Sequence, residues 1–346
     1  MADHTLARRT FLVGSAAAAT LPLLPRRAHA AGKLVAAVFP GDTEDMIRKT
    51  ITPILAAKGI ELTVAPILAQ DQVGKMMASA GKPPFDALYV SPGQTAVLVA
   101  NKLIQKVDPS KMPNWSKLDP AFQTEWGPTV HVQVDGIAYN PTKVPKPKDY
   151  RDLFTNPAFD KQISLIGFGS NSATAAWVEI AKAFGGSAKN MEPMFEMLQK
   201  YLPKVGAIAN SGSQQLSLFQ QGEVNVFLGS TGNVARLKGL GVPCAFAKPE
   251  TGALALPVYI HLTTGSADPD AVYAYMDASI SAEVQNVFKG PPLAYFPTNK
   301  DVALPPDVSD YVTRADLPSL VTPDWASINV ARAGWTERFN KIVAAR

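Results

Sequence analysis

A small polar turn contains the residues that could most directly do chemistry. It reads Gly-Phe-Gly-Ser-Asn-Ser at residues 167–172, between a predicted strand and a predicted helix. Dinucleotide-binding turns follow the pattern G-x-G-x-x-G, and here Ser172 stands where the third glycine would be. A helix start presents unpaired N–H groups and the positive end of the helix dipole, which favour anions and other acceptor groups. The turn therefore predicts contact with a polar group through a helix start, and not a nucleotide loop.

Catalytic patterns are weak or missing. Residues 79–82, Ser-Ala-Gly-Lys, match S-x-x-K, but they end a predicted helix before two prolines, whereas a catalytic serine of this type opens a helix. The motifs that accompany S-x-x-K, S-D-N and K-T-G, are missing. The patterns G-x-S-x-G, H-E-x-x-H and the P-loop are missing as well. Beyond residue 30 the histidines are His131 and His261, too few for a histidine-rich metal site, and Cys244 stands alone, so no disulfide forms within the chain. We expect no catalytic residue, no metal and no cofactor.

The first 30 residues are typical of an export signal. Arg-Arg-Thr-Phe-Leu at residues 8–12 leads into an apolar run, and Ala-His-Ala at residues 28–30 offers the small-x-small site that signal peptidases cleave. The run contains Pro22 and Pro25 and is shorter than the roughly 20 residues of a membrane span. We predict a twin-arginine signal at residues 1–30, cleavage near Ala30 and a periplasmic mature protein.

Net charge argues against nucleic acid as a partner. The full chain carries +4, and Arg8, Arg9, Arg26 and Arg27 against Asp3 contribute +3 of it, which leaves +1 for the mature chain. A nearly neutral chain without a basic stripe binds nucleic acid poorly. The mature length is sufficient for two domains. We expect a monomer without a nucleic-acid partner.

Strand and helix patterns alternate in two successive sets. In the first, a strand at residues 33–39 precedes a helix that we expect Asp42 or Thr43 to cap. A second set follows an alternating strand at residues 130–137, and later helices are predicted at residues 269–288 and 325–345. The pattern predicts an α/β fold in which mostly parallel sheets are flanked by helices. In such sheets, ligands bind beyond the carboxyl ends of the strands.

Polar residues follow several of these strands. With Tyr259, which lies on a strand that recrosses the molecule, the candidate ligand-binding residues are Phe39, Gly41, Asp42, Thr43, Ser91, Ser170, Asn171, Ser172, Ser230, Thr231 and Tyr259. Serine and asparagine at helix starts often only cap the helix, so capping is the alternative for each of them. Tyr89 and Trp177 are better explained as core residues.

Four segments, at residues 85–108, 136–154, 220–243 and 324–343, carry a family resemblance. Together they resemble the periplasmic solute-binding proteins of ABC importers, in the branch that includes the spermidine and putrescine binders. The resemblance covers essentially all of the mature chain. It implies the two-lobed periplasmic binding protein fold, in which hinge strands join two α/β lobes. It also implies that a small-molecule solute is captured between the lobes and delivered to an ABC permease in the inner membrane, without chemistry on the solute.

The resemblance suggests how the chain divides. We expect lobe I at residues 31–136, lobe II at 137–257, a return to lobe I at 258–300, and a C-terminal helical segment packed on the lobes at 301–346.

The resemblance also bears on the solute. Polyamine binders hold ammonium groups with acids and tryptophans, but the matching positions here are Asn171, Ser172, Ala175 or Ala176, Gly93, Ser230, and about Leu256 and Val258. A buried ammonium without a carboxylate costs several kcal/mol. We therefore expect a small carboxylate- or phosphonate-like anion, or an amino acid whose amine lies on Asp42, in preference to a polyamine. A polyamine ligand and an exported enzyme with an unrecognised site are the alternatives.

Overall fold

The computed structural model describes residues 32–79 and 81–345, so the predicted export signal and its cleavage site lie outside it. Within these residues eleven strands form one mixed sheet. They are β1 (Gly32–Val38), β2 (Ile60–Pro66), β3 (Ala87–Val90), β4 (Gln123–Thr124), β5 (Gly127–Tyr139), β6 (Ile163–Ile166), β7 (Ala207–Ala209), β8 (Val226–Ser230), β9 (Ala245–Ala247), β10 (Leu254–Leu262) and β11 (Phe296–Pro297). The helices are α1 (Asp42–Ala57), α2 (Ala69–Ala78), α3 (Pro92–Ala100), α4 (Asp152–Thr155), α5 (Asn171–Ala183), α6 (Glu192–Tyr201), α7 (Gly212–Gln220), α8 (Thr231–Gly239), α9 (Pro269–Ser279), α10 (Ala282–Phe288), α11 (Pro306–Ser309) and α12 (Trp325–Ala344).

Two parallel groups of strands form the two ends of this sheet. The strand order is β2-β1-β3-β10-β5-β8-β6-β7, and β4, β9 and β11 pair with β5. In the first set, β1 pairs in parallel with β2 and β3. In the second set, β6 pairs in parallel with β7 and β8. Strands β10 and β5 run antiparallel to each other and join the two sets. This arrangement agrees with the predicted α/β fold, in which strands act as connections between two lobes.

Strand β5 connects the two sets through its antiparallel neighbours β10 and β8. It spans 13 residues, pairing first with β10 and then, from Asp135 onward, with β8. Valine alternates with polar residues along residues 130–135, so His131, Gln133 and Asp135 share one face. We call these three residues the polar row of β5.

Trp177 of α5 is a core residue, as predicted. Its side chain is 1% exposed, and its ring centroid lies 5.9 Å from that of Phe168 and 5.4 Å from that of Phe339 in α12. The indole Nε1–H donates to the carbonyl of Ile166 at 2.8 Å. The packing fixes the turn between β6 and α5 against the C-terminal helix.

Two helix boundaries differ from the predicted ones. Gly41, with a φ of 84°, is the N-cap of α1, and it makes no side-chain capping bond. Asp42 and Thr43 lie inside that helix, so neither caps it. The predicted helix at residues 269–288 is two helices, because Ser281 caps a new start by accepting from Val284 N at 3.3 Å.

A membrane-spanning helix is not found among the residues that the structure describes, since none of their helices is both long and apolar enough.

Candidate functional site

Helix starts of the two sets face each other across the polar row of β5. Asn171 Nδ2 of α5 donates to Gln94 Oε1 of α3 at 2.9 Å. On the other side, Arg236 Nη1 of α8 lies 3.4 Å from Asp42 Oδ2 of α1. Both contacts join the second set to the first. We call the region between the starts of α1, α3, α5 and α8, together with the polar row, the candidate site.

The first-set end of the polar row is aromatic. The His131 ring stacks on Tyr295 with centroids 3.7 Å apart, and its Nδ1 lies 2.9 Å from the Tyr89 hydroxyl. The Tyr295 hydroxyl lies 3.1 Å from Thr43 Oγ1, which connects the start of α1 to the row. Burial lowers the pKa of His131 to about 3, so the imidazole is neutral at neutral pH.

Asp135, at the second-set end of the row, is a buried carboxyl group that the sequence analysis did not single out. It is 3% exposed, and it pairs across the sheet with Ser230, the last residue of β8. The Ser172 hydroxyl donates to its Oδ2, and Gln133 Nε2 donates to its Oδ1 at 2.8 Å. Burial raises the pKa of Asp135, and these two hydrogen bonds oppose that rise. In the described ranges, no group of three or more His, Cys, Asp or Glu side chains is arranged to hold a metal.

The predicted second-set residues combine capping with a place at the site. Ser170 Oγ accepts from Ala173 N at 3.1 Å and caps α5. Ser230 forms a capping box with Asn233, whose N–H donates to Ser230 Oγ at 3.1 Å. Thr231 is buried at the start of α8. The two serine hydroxyls are therefore used locally, whereas the Ser172 hydroxyl reaches the polar row.

The predicted first-set residues are less uniform. The Phe39 ring meets the Tyr89 ring edge-on at 5.2 Å. Ser91 is buried before α3, and its hydroxyl makes no capping bond. Gly41 is exposed next to Asp42. Tyr259 takes part in none of these contacts, and its ring stacks on that of His261 with the centroids 5.5 Å apart.

Arg332 of α12 holds the turn before α5 in place by hydrogen bonds. The sequence analysis did not predict this role. Its guanidinium donates to the Phe168 carbonyl at 2.7 and 3.0 Å and to Asn171 Oδ1 at 3.0 Å. With its oxygen held in this way, the Asn171 amide directs its NH2 group to Gln94. Asn329, one turn earlier, donates to the Gly93 carbonyl at 2.8 Å. The C-terminal helix thus contacts helix starts of both sets.

We expect the change Arg332→Ala to lower the free energy of unfolding by at least about 2 kcal/mol, since one hydrogen bond from a charged donor is worth about 1.5–3 kcal/mol and Arg332 makes three. The matched control is Lys341→Ala on the same helix, where an exposed pair with Glu337 at 2.7 Å is lost. Exposed pairs contribute at most about 1 kcal/mol. Urea denaturation of both variants measures the difference, and equal losses would contradict a supporting role for Arg332.

Residues 49–316 match the model of a family described as bacterial extracellular solute-binding protein. The chain belongs to this family. The match spans more than half of the chain and includes the polar row and the starts of α3, α5 and α8. Membership confirms the resemblance seen in the sequence, and it makes the chain a solute-binding protein and not an enzyme. No match was found among curated protein sequences.

Solved structures of solute-binding proteins confirm the fold. An ABC transporter structure from Clostridium perfringens is 22% identical, with a TM-score of 0.74, and the alignment covers 90% of this chain and 99% of that one. A GABA receptor is 19% identical, with a TM-score of 0.74 and 91% and 98% coverage. The binding protein AgtB from A. tumefaciens R10, solved with agropinic acid, is 19% identical, with a TM-score of 0.68 and 91% and 100% coverage. These likenesses establish the periplasmic binding protein fold.

Proposed function

We propose that the protein captures a small polar solute at the candidate site and delivers it to an ABC-type import permease in the inner membrane. The observation that carries the proposal is the contact of facing helix starts, Asn171 to Gln94, beside the buried Asp135. Helix starts supply N–H donors and a positive dipole end to a bound group. The predicted export signal supports a periplasmic site of action.

Capture requires that the site open and close. We propose lobe I at residues 31–136 and 258–300, lobe II at 137–257, and a C-terminal segment at 301–346 that packs on both. The contacts Asn171–Gln94 and Arg236–Asp42 separate when the lobes rotate apart. A solute that touches both lobes only in the closed form shifts the population toward that form. The permease then distinguishes the closed surface from the open one.

The donors at the site favour a solute with acceptor oxygens. A carboxylate or phosphonate group, or the carboxylate of an amino acid, can accept hydrogen bonds from the helix starts. Hydrogen bonds to a charged group are worth about 1.5–3 kcal/mol each, so three or four suffice for micromolar affinity. A polyamine is the alternative solute.

A thermal-shift screen of the purified protein tests the proposed function. The panel contains amino acids, carboxylates, phosphonates, sugars and polyamines. A solute at a hundred times its dissociation constant adds about 2.7 kcal/mol to the stability, which raises the melting temperature by a few degrees. We expect such a shift with a carboxylate, a phosphonate or an amino acid. If none of the compounds shifted the melting temperature, the result would contradict a solute-binding role at this site.

The double change Ser172→Ala and Ser230→Ala should weaken binding of the solute found in that screen by at least tenfold, because it removes the hydroxyl that donates to Asp135 and the hydroxyl that caps α8 next to it. The matched control is Ser213→Ala, an exposed serine within α7. Titration calorimetry measures the affinity. Unchanged affinity in the double variant would remove these two residues from the site.

A further inference from the structure

Asp135 has a position that a structural carboxyl group does not need. It lies where β5 passes between the starts of α5 and α8, bonded to Ser172 of the first helix and paired in register with Ser230 at the cap of the second. Its side chain is buried, and its two known partners, a hydroxyl and the amide of Gln133, are both neutral. A carboxylate offers about four acceptor positions, so two remain for another donor.

The other buried acids differ from Asp135 in their surroundings. Within the described residues, Asp135, Glu179 and Asp277 are the acidic side chains classed as buried. Glu179 forms an ion pair with Lys182 at 2.6 Å. Asp277 lies far from the candidate site in sequence and fold, in α9, and both of its carboxylate oxygens accept from Asn114, at 2.7 and 3.0 Å. Asp135 has no cationic side chain in ion-pair contact in the part of the chain that the structure describes. A buried carboxylate without a cation is costly, and such groups are common where a ligand brings the missing charge.

The same carboxyl group argues against a simple anion. The positive ends of α5 and α8 are the features that would attract an oxyanion, and Asp135 already lies against both. An anion placed there meets a like charge in a poorly solvated site, which disfavours binding. A cationic nitrogen in the same place is attracted by Asp135 and leaves the starts of α1 and α3 free for acceptor oxygens.

Counting the available carboxylates limits the number of amines. Asp42, the acid that the sequence suggested for an amine, is half-exposed and faces Arg236 at 3.4 Å, so its charge is already compensated within the protein. At the candidate site Asp135 is then the acid without a cationic partner, and it matches one ammonium. A polyamine needs a second acid for its far end.

We propose that Asp135 binds an ammonium group of the solute, so that the solute is an amino-acid-like zwitterion whose carboxylate lies toward the starts of α1 and α3. This inference rests on the proposed function, because it assigns the solute class of the same site. It replaces a free anion with a zwitterion, and Asp42 with Asp135 as the amine partner.

The test uses pairs of compounds that differ by one amine. Thermal shift and titration calorimetry are run on the wild-type protein with the twenty amino acids and 4-aminobutyrate, each beside the carboxylate that lacks the amine, such as butyrate, and with putrescine. We expect binding of at least one amino acid and at least a hundredfold weaker binding of its amine-free counterpart. Equal binding of the pair would overturn the inference while keeping the proposed function. Absence of binding by every compound would overturn both.

The variants Asp135→Asn and Asp301→Asn remove the same charge from different places. Asp301 lies at the surface in a pair with Lys117 at 2.9 Å and serves as the control. Asp135→Asn should weaken binding of the amino acid at least a hundredfold, whereas Asp301→Asn should change the affinity for the amino acid less than twofold. In the absence of solute, Asp135→Asn should raise the melting temperature, because an uncompensated buried charge is removed. A lower melting temperature, or amino-acid affinity within threefold of the wild type, would show that the protein itself compensates Asp135.

Discussion

Lowering the pH from 7 to 5 is expected to reduce the free energy of unfolding by about 4 kcal/mol, with about 2 kcal/mol from each of two buried histidines. His131 is 2% exposed and His261 is 0% exposed. Burial lowers the pKa of His131 to about 3 and that of His261 to about 4, from an ordinary value of 6.5. Both imidazoles are therefore neutral in the folded protein across this range.

The sign follows from where the protons bind. In the unfolded chain each imidazole takes up a proton as the pH falls through 6.5, whereas in the folded protein it does not until the pH approaches its lowered pKa. Acid therefore favours the unfolded chain, and the stability present above pH 6.5 is lost as the pH falls. Burial causes both shifts. The Trp126 carbonyl, 2.9 Å from His261 Nδ1, favours the charged ring and offsets only part of the shift at His261.

Carboxyl groups act mostly outside this window. Asp316, whose pKa is lowered to about 2 by hydrogen bonds from Thr313, stabilises the fold above its ordinary value of 3.8 and loses that contribution only at lower pH. Asp135 acts in the opposite sense to the histidines, because its raised pKa favours proton uptake by the folded protein. The histidines should therefore set the slope between pH 7 and 5.

Urea denaturation at pH 7, 6 and 5 measures this dependence. The variants His131→Gln and His261→Gln should each remove about half of it, even though each also lowers the stability at pH 7 by disturbing a buried contact. A wild-type change below about 1 kcal/mol would show that the folded protein accepts a proton on these rings after all.

The helix starts of the candidate site were predictable, because their signals are local. The turn Gly-Phe-Gly-Ser-Asn-Ser after an apolar run predicted the start of α5 to within one residue, and the expected cap of α1, Asp42 or Thr43, lies one or two residues past its N-cap Gly41. The break between α9 and α10 had a local signal as well, since Ser281 is a good cap, but the apolar pattern through residues 269–288 obscured it.

The contacts of the polar row of β5 and of Arg332 join residues far apart in the sequence, and no local pattern predicts them. The alternation along residues 130–135 was visible in the sequence and predicted a strand, yet it did not indicate which face would meet Ser172, 37 residues later. The contact of Arg332 with Asn171 spans 161 residues and is set by how α12 packs. Asp135 was missed because, apart from Tyr259, ligand contacts were expected beyond the strand ends, whereas Asp135 lies within β5.

Strands β5 and β10 approach each other too closely at Gly127 to leave room for a side chain. The substitution Gly127→Ala should therefore lower the free energy of unfolding by at least about 3 kcal/mol. Gly127 begins β5 with a φ of +148°, and a Cβ atom there would lie 2.0 Å from the Ile260 carbonyl oxygen of β10. Neither strand can yield freely, because β5 and β10 are paired with each other and with their own sets.

The same substitution at Gly74 should have the opposite effect. Gly74 lies in the interior of α2, is exposed, and has no atom within 4 Å of the position of a Cβ. Replacing glycine with alanine inside a helix adds up to about 1 kcal/mol of stability. Urea denaturation of Gly127→Ala and Gly74→Ala should therefore give shifts of opposite sign. If Gly127→Ala cost less than about 1 kcal/mol, the crossing of β5 and β10 would be free to separate, and these strands would not form a defined hinge between the two sets.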